Sequence, residues 1–390
     1  MISSRLPKSL APNALSRALE AKRTSGASIL DLTATNPTAA GFTYPKELLD
    51  ALSNQRALEY DPLPLGLWSA RAAVASDFRR RGHVISADRV ALTSSTSEAY
   101  AMLFKLLCDA GDAVLVPQPS YPLFEHLTQL ESVTAVPYLL EYHGAWRIDV
   151  DSIARAATDR VRAILIVSPN NPTGSFLHRD DLDAVSNLAG ARGWAIIGDE
   201  VFADYPLDAS PAAANVLAGA DVLSFSLGGL SKSAGLPQLK LGWIGVAGPS
   251  SKVDEALAAY EMIADTYLSV STPVQIAAAD LIEQGAAIRA QILARVRRNL
   301  ESLRTLAAAH PAAVVLPVEG GWSAVIKVPQ LRSEEKLVLD LLDKDDVLVH
   351  PGYFFDFARE AFVIVSLLVD PAVFDRAIAR VLTRSTGAAQ

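Results

Sequence analysis

The sequence predicts an α/β fold built on a mostly parallel β-sheet, with a smaller α+β domain toward the C-terminus. Segments with helical periodicity alternate with short apolar runs, an order that is typical of parallel sheets covered by helices. The apolar runs end in polar or small residues, as buried parallel strands commonly do. The chain has 390 residues, 50% of them hydrophobic, which is enough for more than one domain.

Three strands are predicted in the middle of the chain, and each is followed by residues that carry chemistry. The strands are Arg162–Ser168 (RAILIVS), Trp194–Glu200 (WAIIGDE) and Val222–Gly228 (VLSFSLG). Ligands of open α/β sheets bind at the carboxyl ends of the strands. We therefore expect Asn171, Asp199 and the Ser231-Lys232 pair to meet at one edge of the sheet.

A helix is predicted to begin near Ser97. Apolar residues recur from there at helical spacing, and Gly111 is placed to end the helix. The apolar positions are Tyr100, Leu103, Phe104 and Leu107. The segment 93–97 (TSSTS) would bring hydroxyls and free backbone N–H groups to the helix start, an arrangement that binds anions.

The last third of the chain predicts a second, smaller unit. Residues Asp280–Ala309 have the pattern of a long helix, with several arginines that we expect on a solvated face. An α+β pattern follows, from Ala313–Val328 through a further helix to Phe362–Leu368. We expect a large domain over 45–270. The small domain would combine 1–44 with 271–390, so that the N-terminal segment joins the C-terminal part.

Composition argues against several classes of function. The net charge of −8 disfavours electrostatic binding to nucleic acid or to an anionic membrane. The single cysteine cannot form an intrachain disulfide. Residues Met1–Leu10 lack the apolar core of a signal peptide, and no apolar run reaches membrane length. We therefore expect a cytoplasmic setting. The six histidines lack metal-ligand spacing, so no metal is expected. Phosphate-loop, dinucleotide, zinc-protease and nucleophile-elbow motifs are missing.

Five motifs follow one another along the chain in an informative order. They are Ser95–Tyr100 (STSEAY), Pro119–Pro122 (PSYP), Asn170–Gly174 (NNPTG), Asp199–Phe202 (DEVF) and Leu230–Trp243 (LSKSAGLPQLKLGW). The ordered set resembles the class I/II aminotransferases of the aspartate-aminotransferase type, which use pyridoxal 5'-phosphate (PLP). The resemblance runs from Asn36-Pro37 to the C-terminal domain. It implies the three-layer PLP fold type I, a homodimer, and a small-molecule amino donor and oxo acceptor.

The resemblance also implies roles for individual residues. Lys232 would carry PLP as a Schiff base and then move a proton between the substrate carbon and the cofactor. Asp199 would hold the pyridine nitrogen, Asn171 the ring hydroxyl, and Tyr121 would stack on the ring. The other implied cofactor contacts are Ser94, Ser95, Thr96, Phe202, Ser231, Lys240 and, from the partner subunit, Tyr60.

Four positions depart from the family pattern. Phe202 stands where many relatives have a tyrosine that hydrogen-bonds the ring hydroxyl, and Gly229 stands where a serine often contacts the phosphate. Lys240 replaces an arginine and keeps the charge without the bidentate fork. Ile364 replaces the arginine that clamps the substrate α-carboxylate. Three explanations stay open for Ile364: another cation such as Arg359, backbone amides with the N-terminal segment, or a substrate without that carboxylate.

Three functions are compatible with these residues. The leading hypothesis is an aminotransferase that moves an amino group from an amino acid or amine to an oxo acid through pyridoxamine phosphate. The second is a PLP-dependent lyase, decarboxylase or synthase, which the departures at Phe202 and Ile364 keep open. The third, a PLP-binding regulator, is disfavoured by the acidic charge and by the lack of a DNA-binding extension before residue 30. Trp322 and the aromatic residues at 353–355 would line an apolar substrate pocket or pack the small domain.

Overall fold

The computed structural model describes residues 2–208, 213–219 and 221–387. Its strands are β1 (Leu30–Asp31), β2 (Val90–Thr93), β3 (Ala113–Gln118), β4 (Thr134–Tyr142), β5 (Trp146–Ile148), β6 (Val161–Val167), β7 (Ala195–Asp199), β8 (Ser224–Gly229), β9 (Gly242–Ala247), β10 (Val314–Val315), β11 (Ser323–Lys327), β12 (Val347–Leu348), β13 (His350–Pro351) and β14 (Phe362–Ser366). Its α-helices are α1 (Ala14–Thr24), α2 (Trp68–Arg80), α3 (Thr96–Leu107), α4 (Leu123–Leu130), α5 (Val150–Ala156), α6 (Arg179–Arg192), α7 (Leu230–Ser233), α8 (Ser250–Asp265), α9 (Thr272–Ile276), α10 (Ala278–Ala308), α11 (Glu334–Asp345) and α12 (Pro371–Thr386).

A large mixed sheet organises the middle of the chain. Within the described ranges it has eight strands in the order β2-β9-β8-β7-β6-β3-β4-β5. The strands β8, β7, β6, β3 and β4 run parallel, whereas β9 is antiparallel to β8 and β2, and β5 to β4. The three predicted strands are confirmed as β6, β7 and β8, with their ends shifted by one or two residues.

Helices cover both faces of this sheet, which gives it three layers. Successive residues of β6 belong to different apolar clusters. Leu165 and Val167 pack with α3 and α8, whereas Ile164 and Ile166 pack with α6. A strand that is buried on both faces favours apolar residues at successive positions, which explains the apolar run 163–167 in β6.

A smaller antiparallel sheet lies in the C-terminal part, and the N-terminal segment is attached to it. The strand order is β10-β11-β14-β13, and β1 pairs in parallel with β12. Helix α1 packs against α11, and the Lys22 Nζ atom lies 2.6 Å from Asp346 Oδ1. These contacts are compatible with the boundaries 45–270 and 1–44 with 271–390, which stay a prediction.

Two details of the predicted helices were wrong. The helix expected near Ser97 is α3, but it ends before Cys108, whose backbone is extended, rather than at Gly111. The long helix α10 is confirmed, but not all of its arginines face solvent. Arg289 donates a hydrogen bond to the Ser233 carbonyl at 3.1 Å, and Arg295 donates to the Leu368 carbonyl at 3.3 Å, because unpaired carbonyls lie within reach of these long side chains. Among the described residues, no helix combines the length and apolar character needed to cross a membrane.

Candidate active site

The sheet register brings three chain segments to one edge. Val167 in β6 lies beside Asp199 in β7, and Asp199 lies beside Leu227 in β8. Because these strands are parallel, the loop with Asn171 and the one-turn helix α7 with Lys232 leave the sheet on the same side as Asp199. The structure therefore places these predicted residues at a common edge, as expected from the sequence.

The Lys232 side chain is largely buried among aromatic rings. Its Nζ atom lies 5.1 Å from the centroid of the Trp322 ring and 5.6 Å from that of Phe202. A hydrogen bond from the Tyr205 hydroxyl to the Lys232 carbonyl holds the backbone of the α7 turn. Burial lowers the pKa of the Lys232 ammonium below its ordinary value, against the opposing charge of Asp199. A buried amine that loses its proton more readily is suited to nucleophilic and acid–base work.

The Asp199 side chain is partly buried, and its carboxylate is held by hydrogen bonds. The Tyr100 hydroxyl donates to Oδ2 at 2.8 Å, and the Val201 amide donates to Oδ1 at 3.2 Å. Burial raises the pKa of Asp199, and the Tyr100 and Val201 hydrogen bonds and the charge of Lys232 oppose this rise. A carboxylate in this setting favours a cationic partner. Tyr100 could not be recognised as a site residue from the sequence, because its place in the apolar pattern of α3 resembles that of an ordinary core residue.

Tyr121 and Asn171 are the other two residues predicted to contact the cofactor ring. Tyr121 is 45% exposed and packs edge-on against Phe124, with the ring centroids 6.5 Å apart. Burial and then the charge of Asp199 raise the pKa of Tyr121. The Asn171 Oδ1 atom accepts a hydrogen bond from Ser323 Oγ at 3.3 Å. Ser323, on β11, is a second residue at the site that could not be identified from the sequence.

The start of α3 forms a reciprocal cap around Glu98. The Glu98 amide donates to Ser95 Oγ at 3.1 Å, and the Ser94 amide donates to Glu98 Oε2 at 2.6 Å. The Ser95 oxygen is thus used as an acceptor, and its proton remains available to a ligand. At the first helical position, the Thr96 amide has no partner within the helix. The predicted phosphate cradle therefore keeps N–H and O–H donors.

A steric reason explains the glycine at 229. A Cβ atom at this position would lie 3.0 Å from the Leu241 carbonyl oxygen and 3.2 Å from Gly242 Cα. The strands β8 and β9 approach so closely here that a serine would push them apart. Ser231 is partly buried in α7, and Lys240 is exposed just before β9.

Tyr60, the residue predicted to reach the partner's cofactor, lies outside the group of side chains around Lys232. Its side chain is 72% exposed. It lines a surface depression together with Leu63, Leu268 and Gln275. The predicted role of Tyr60 therefore depends on a second subunit.

Ile364 is enclosed rather than exposed to a ligand. It is 2% exposed and belongs to an apolar cluster with Trp146, Val325 and Phe355. Arg359, the nearby cation considered from the sequence, is exposed in the segment before β14. The structure lends no support to Arg359 as a substitute for the family's arginine.

Comparison with known proteins shows that the resemblance covers most of the chain. A family model described as "Aminotransferase class I and II" matches residues 29–381. The glutamate-pyruvate aminotransferase AlaA of Haemophilus influenzae is 28% identical over 351 residues, which cover 88% of this chain and 87% of that protein. An alanine aminotransferase of Mycobacterium tuberculosis is 26% identical over 343 residues, with 85% and 79% covered.

Solved structures show the same fold. An alanine aminotransferase from Pyrococcus furiosus superposes with a TM-score of 0.87 at 25% identity and covers 98% of this chain and 99% of its own. An aminotransferase from Escherichia coli gives a TM-score of 0.86 at 24% identity, with 100% and 99% covered. These likenesses confirm the predicted fold class.

Proposed function

The chain belongs to the class I and II aminotransferases, a family that uses pyridoxal phosphate, and from this premise we propose that Lys232 is its catalytic lysine. Amino acids and oxo acids are the substrates that the family implies. One observation carries the assignment. Lys232, Asp199 and Asn171 come from three separate segments and lie at the carboxyl edge of one sheet.

The residues at this edge fit the cofactor. A partly buried amine with a lowered pKa suits an aldehyde, and a carboxylate anchored by Tyr100 suits a protonated ring nitrogen. The donors at the start of α3 suit a phosphate. When bound, PLP supplies an electron sink for the substrate carbon.

The protein's own groups would then hold the reactants and move the proton. Lys232 Nζ would accept and return the proton of the substrate carbon, for which its lowered pKa is favourable. Asp199 would keep its negative charge close to the ring nitrogen, with Tyr100 and Val201 fixing the carboxylate plane. The Phe202 and Trp322 rings, which lie 5.2 Å apart, would exclude water from one side of the amine.

We further propose a homodimer in which Tyr60 reaches the phosphate of the partner's cofactor. Support comes from exposed apolar side chains in the depression that contains Tyr60, where Leu63 and Leu268 are also exposed. Apolar patches of this kind commonly mark protein interfaces. The test is to mix Lys232→Ala and Tyr60→Ala subunits, each carrying one defect. Hybrid dimers would regain one intact site and recover activity, whereas independent sites would stay inactive.

Half-reactions test the proposed function directly. Purified protein is loaded with PLP and given single amino acids or simple amines while the cofactor absorbance is followed. Conversion of the cofactor to its amine form, reversed by an oxo acid, is the expected result. Product formation with an unchanged cofactor spectrum would instead identify a lyase, decarboxylase or synthase.

A further inference from the structure

We propose that Ser323 is a positioning residue that holds the Asn171 amide through a hydrogen bond from its hydroxyl. The inference rests on the proposed function, because it takes Asn171 as a donor to the ring hydroxyl of the cofactor. Ser323 acts from the small antiparallel sheet on a loop of the large sheet.

The hydrogen bonds of two adjacent asparagines show why an orienting contact is needed. Asn170 is engaged through both atoms of its amide: Nδ2 donates to Ser120 Oγ, and Oδ1 accepts from the Thr173 amide and hydroxyl. Asn171 has one side-chain contact of this kind in the part of the chain that the structure describes, from Ser323 Oγ to Oδ1 at 3.3 Å. With Oδ1 turned to Ser323, the Nδ2 group is left to donate to a ligand. The reverse orientation would present a carbonyl oxygen to the ring oxygen.

Ser323 is itself held in place by the strands around it. It is the first residue of β11 and lies opposite Ser366 of β14. The Ser366 amide donates to the Leu32 carbonyl at 2.7 Å, and its hydroxyl donates to the Ala34 carbonyl at 2.6 Å. The sheet and the N-terminal segment therefore fix the position from which Ser323 reaches Asn171.

The loop that carries Asn171 is clamped to the same segment through the backbone. The Gly320 amide donates to the Gly174 carbonyl at 2.8 Å. Gly174 has a φ of +72°, and a Cβ atom there would lie 2.7 Å from Val318 and 2.8 Å from the Gly320 carbonyl oxygen. Because this close approach does not involve the Ser323 side chain, removing the hydroxyl should leave the loop in place.

The neighbouring strand β14 has no charged side chain that could contact Asn171 in place of Ser323. Ile364 pairs with Val325, two residues after Ser323, so both positions lie on the same face of the sheet. Its side chain is buried in the apolar cluster with Trp146 and Phe355. A neutral hydroxyl holds an amide oxygen more weakly than a charged donor does. The orientation of Asn171 should therefore depend measurably on this single hydroxyl.

The experiment measures the pH midpoint of the bound cofactor's absorbance in the holoenzyme. A donor to the ring oxygen stabilises its anionic form, which prevails after deprotonation, so weakening the donor raises the midpoint. Ser323→Ala is expected to raise it by about 0.5–1 pH unit, the range for one hydrogen bond. Ser323→Thr keeps the hydroxyl and should restore the wild-type value. Asn171→Ala should raise the midpoint further, and the double variant should match Asn171→Ala alone.

Ser224→Ala is the matched control, because it removes a buried serine hydroxyl that donates to the Val222 carbonyl of its own segment rather than to Asn171. Its midpoint should stay at the wild-type value. An unchanged midpoint in Ser323→Ala, or additive shifts in the double variant, would overturn the positioning role. Wild-type protein that shows no lysine-bound cofactor spectrum at all would instead contradict the proposed function, so the two failures are distinguishable.

Discussion

Replacing Tyr100 with phenylalanine is expected to loosen Asp199 while leaving the surrounding core packed. The Tyr100 hydroxyl donates to Asp199 Oδ2 at 2.8 Å. Its ring packs against Phe124 and Phe104, with centroid distances of 5.4 Å and 6.0 Å. A phenylalanine keeps these ring contacts and removes only the hydroxyl, so the perturbation is confined to the carboxylate.

The size of the expected loss of activity depends on the contacts that Asp199 keeps in the variant. A hydrogen bond to a charged group contributes about 1.5–3 kcal/mol, and about 1.4 kcal/mol corresponds to a tenfold change. The Val201 amide and the charge of Lys232 still act on Asp199, so we expect the lower end of this range and about tenfold slower turnover. Because the Tyr100 hydrogen bond lowers the pKa of Asp199, its loss raises that pKa. The acidic limb of the pH–turnover profile should move to higher pH.

Steady-state kinetics across pH provide the assay, and Tyr260→Phe provides the control. Tyr260 is buried in the same apolar cluster, but its hydroxyl contacts Met102 Sδ at 3.1 Å rather than Asp199. It should keep wild-type turnover. If Tyr100→Phe kept both the rate and the acidic limb, or if Tyr260→Phe lost as much activity, the proposed role of Tyr100 would be refuted.

Three further predictions can be tested on the same protein. Lys232→Ala is expected to abolish the absorbance of the lysine-bound cofactor with unchanged circular dichroism, and persistence of that absorbance would exclude Lys232 as the cofactor lysine. Phe202→Tyr adds a hydroxyl near Lys232 and is expected to lower the cofactor's pH midpoint by about 1 unit; an unchanged midpoint would mean that the side chain at 202 does not face the ring oxygen. Burial raises the pKa of Glu200 from 4.5 to about 7, so between these values the folded state binds more protons than the unfolded state, and stability falls as pH rises. In wild-type protein this group should lower the free energy of unfolding by on the order of 3 kcal/mol across that pH range, and Glu200→Gln should abolish the decrease. Urea unfolding at several pH values measures it, and equal pH slopes in both proteins would contradict the raised pKa of Glu200.

Much of the fold and part of the site could be predicted from the sequence because their signals are local. The strand β6 is recognisable from a continuous apolar run, since it is buried on both faces. Lys232, Asp199 and Asn171 follow strands that end at one edge, so their proximity could be expected from the parallel arrangement. Their roles in the reaction stay predictions that the variants above would test.

The groups that tune these residues could not be found in the same way. Tyr100 has the spacing of a core residue, and only the packing of α3 on the large sheet brings its hydroxyl to Asp199. Ser323 lies 152 residues from Asn171 and reaches it only because the small sheet is clamped to the NNPTG loop. Hydrogen bonds between distant segments leave no periodic trace in a sequence.

The departures from the family pattern show the same division between sequence and structure. The sequence alone shows that position 364 carries an isoleucine and therefore no charge. Only the tertiary structure shows that this isoleucine packs in an apolar cluster with Trp146 of the large sheet. Residue identity and local pattern are written in the chain, whereas the partner of a side chain depends on which distant segments the packed core brings together.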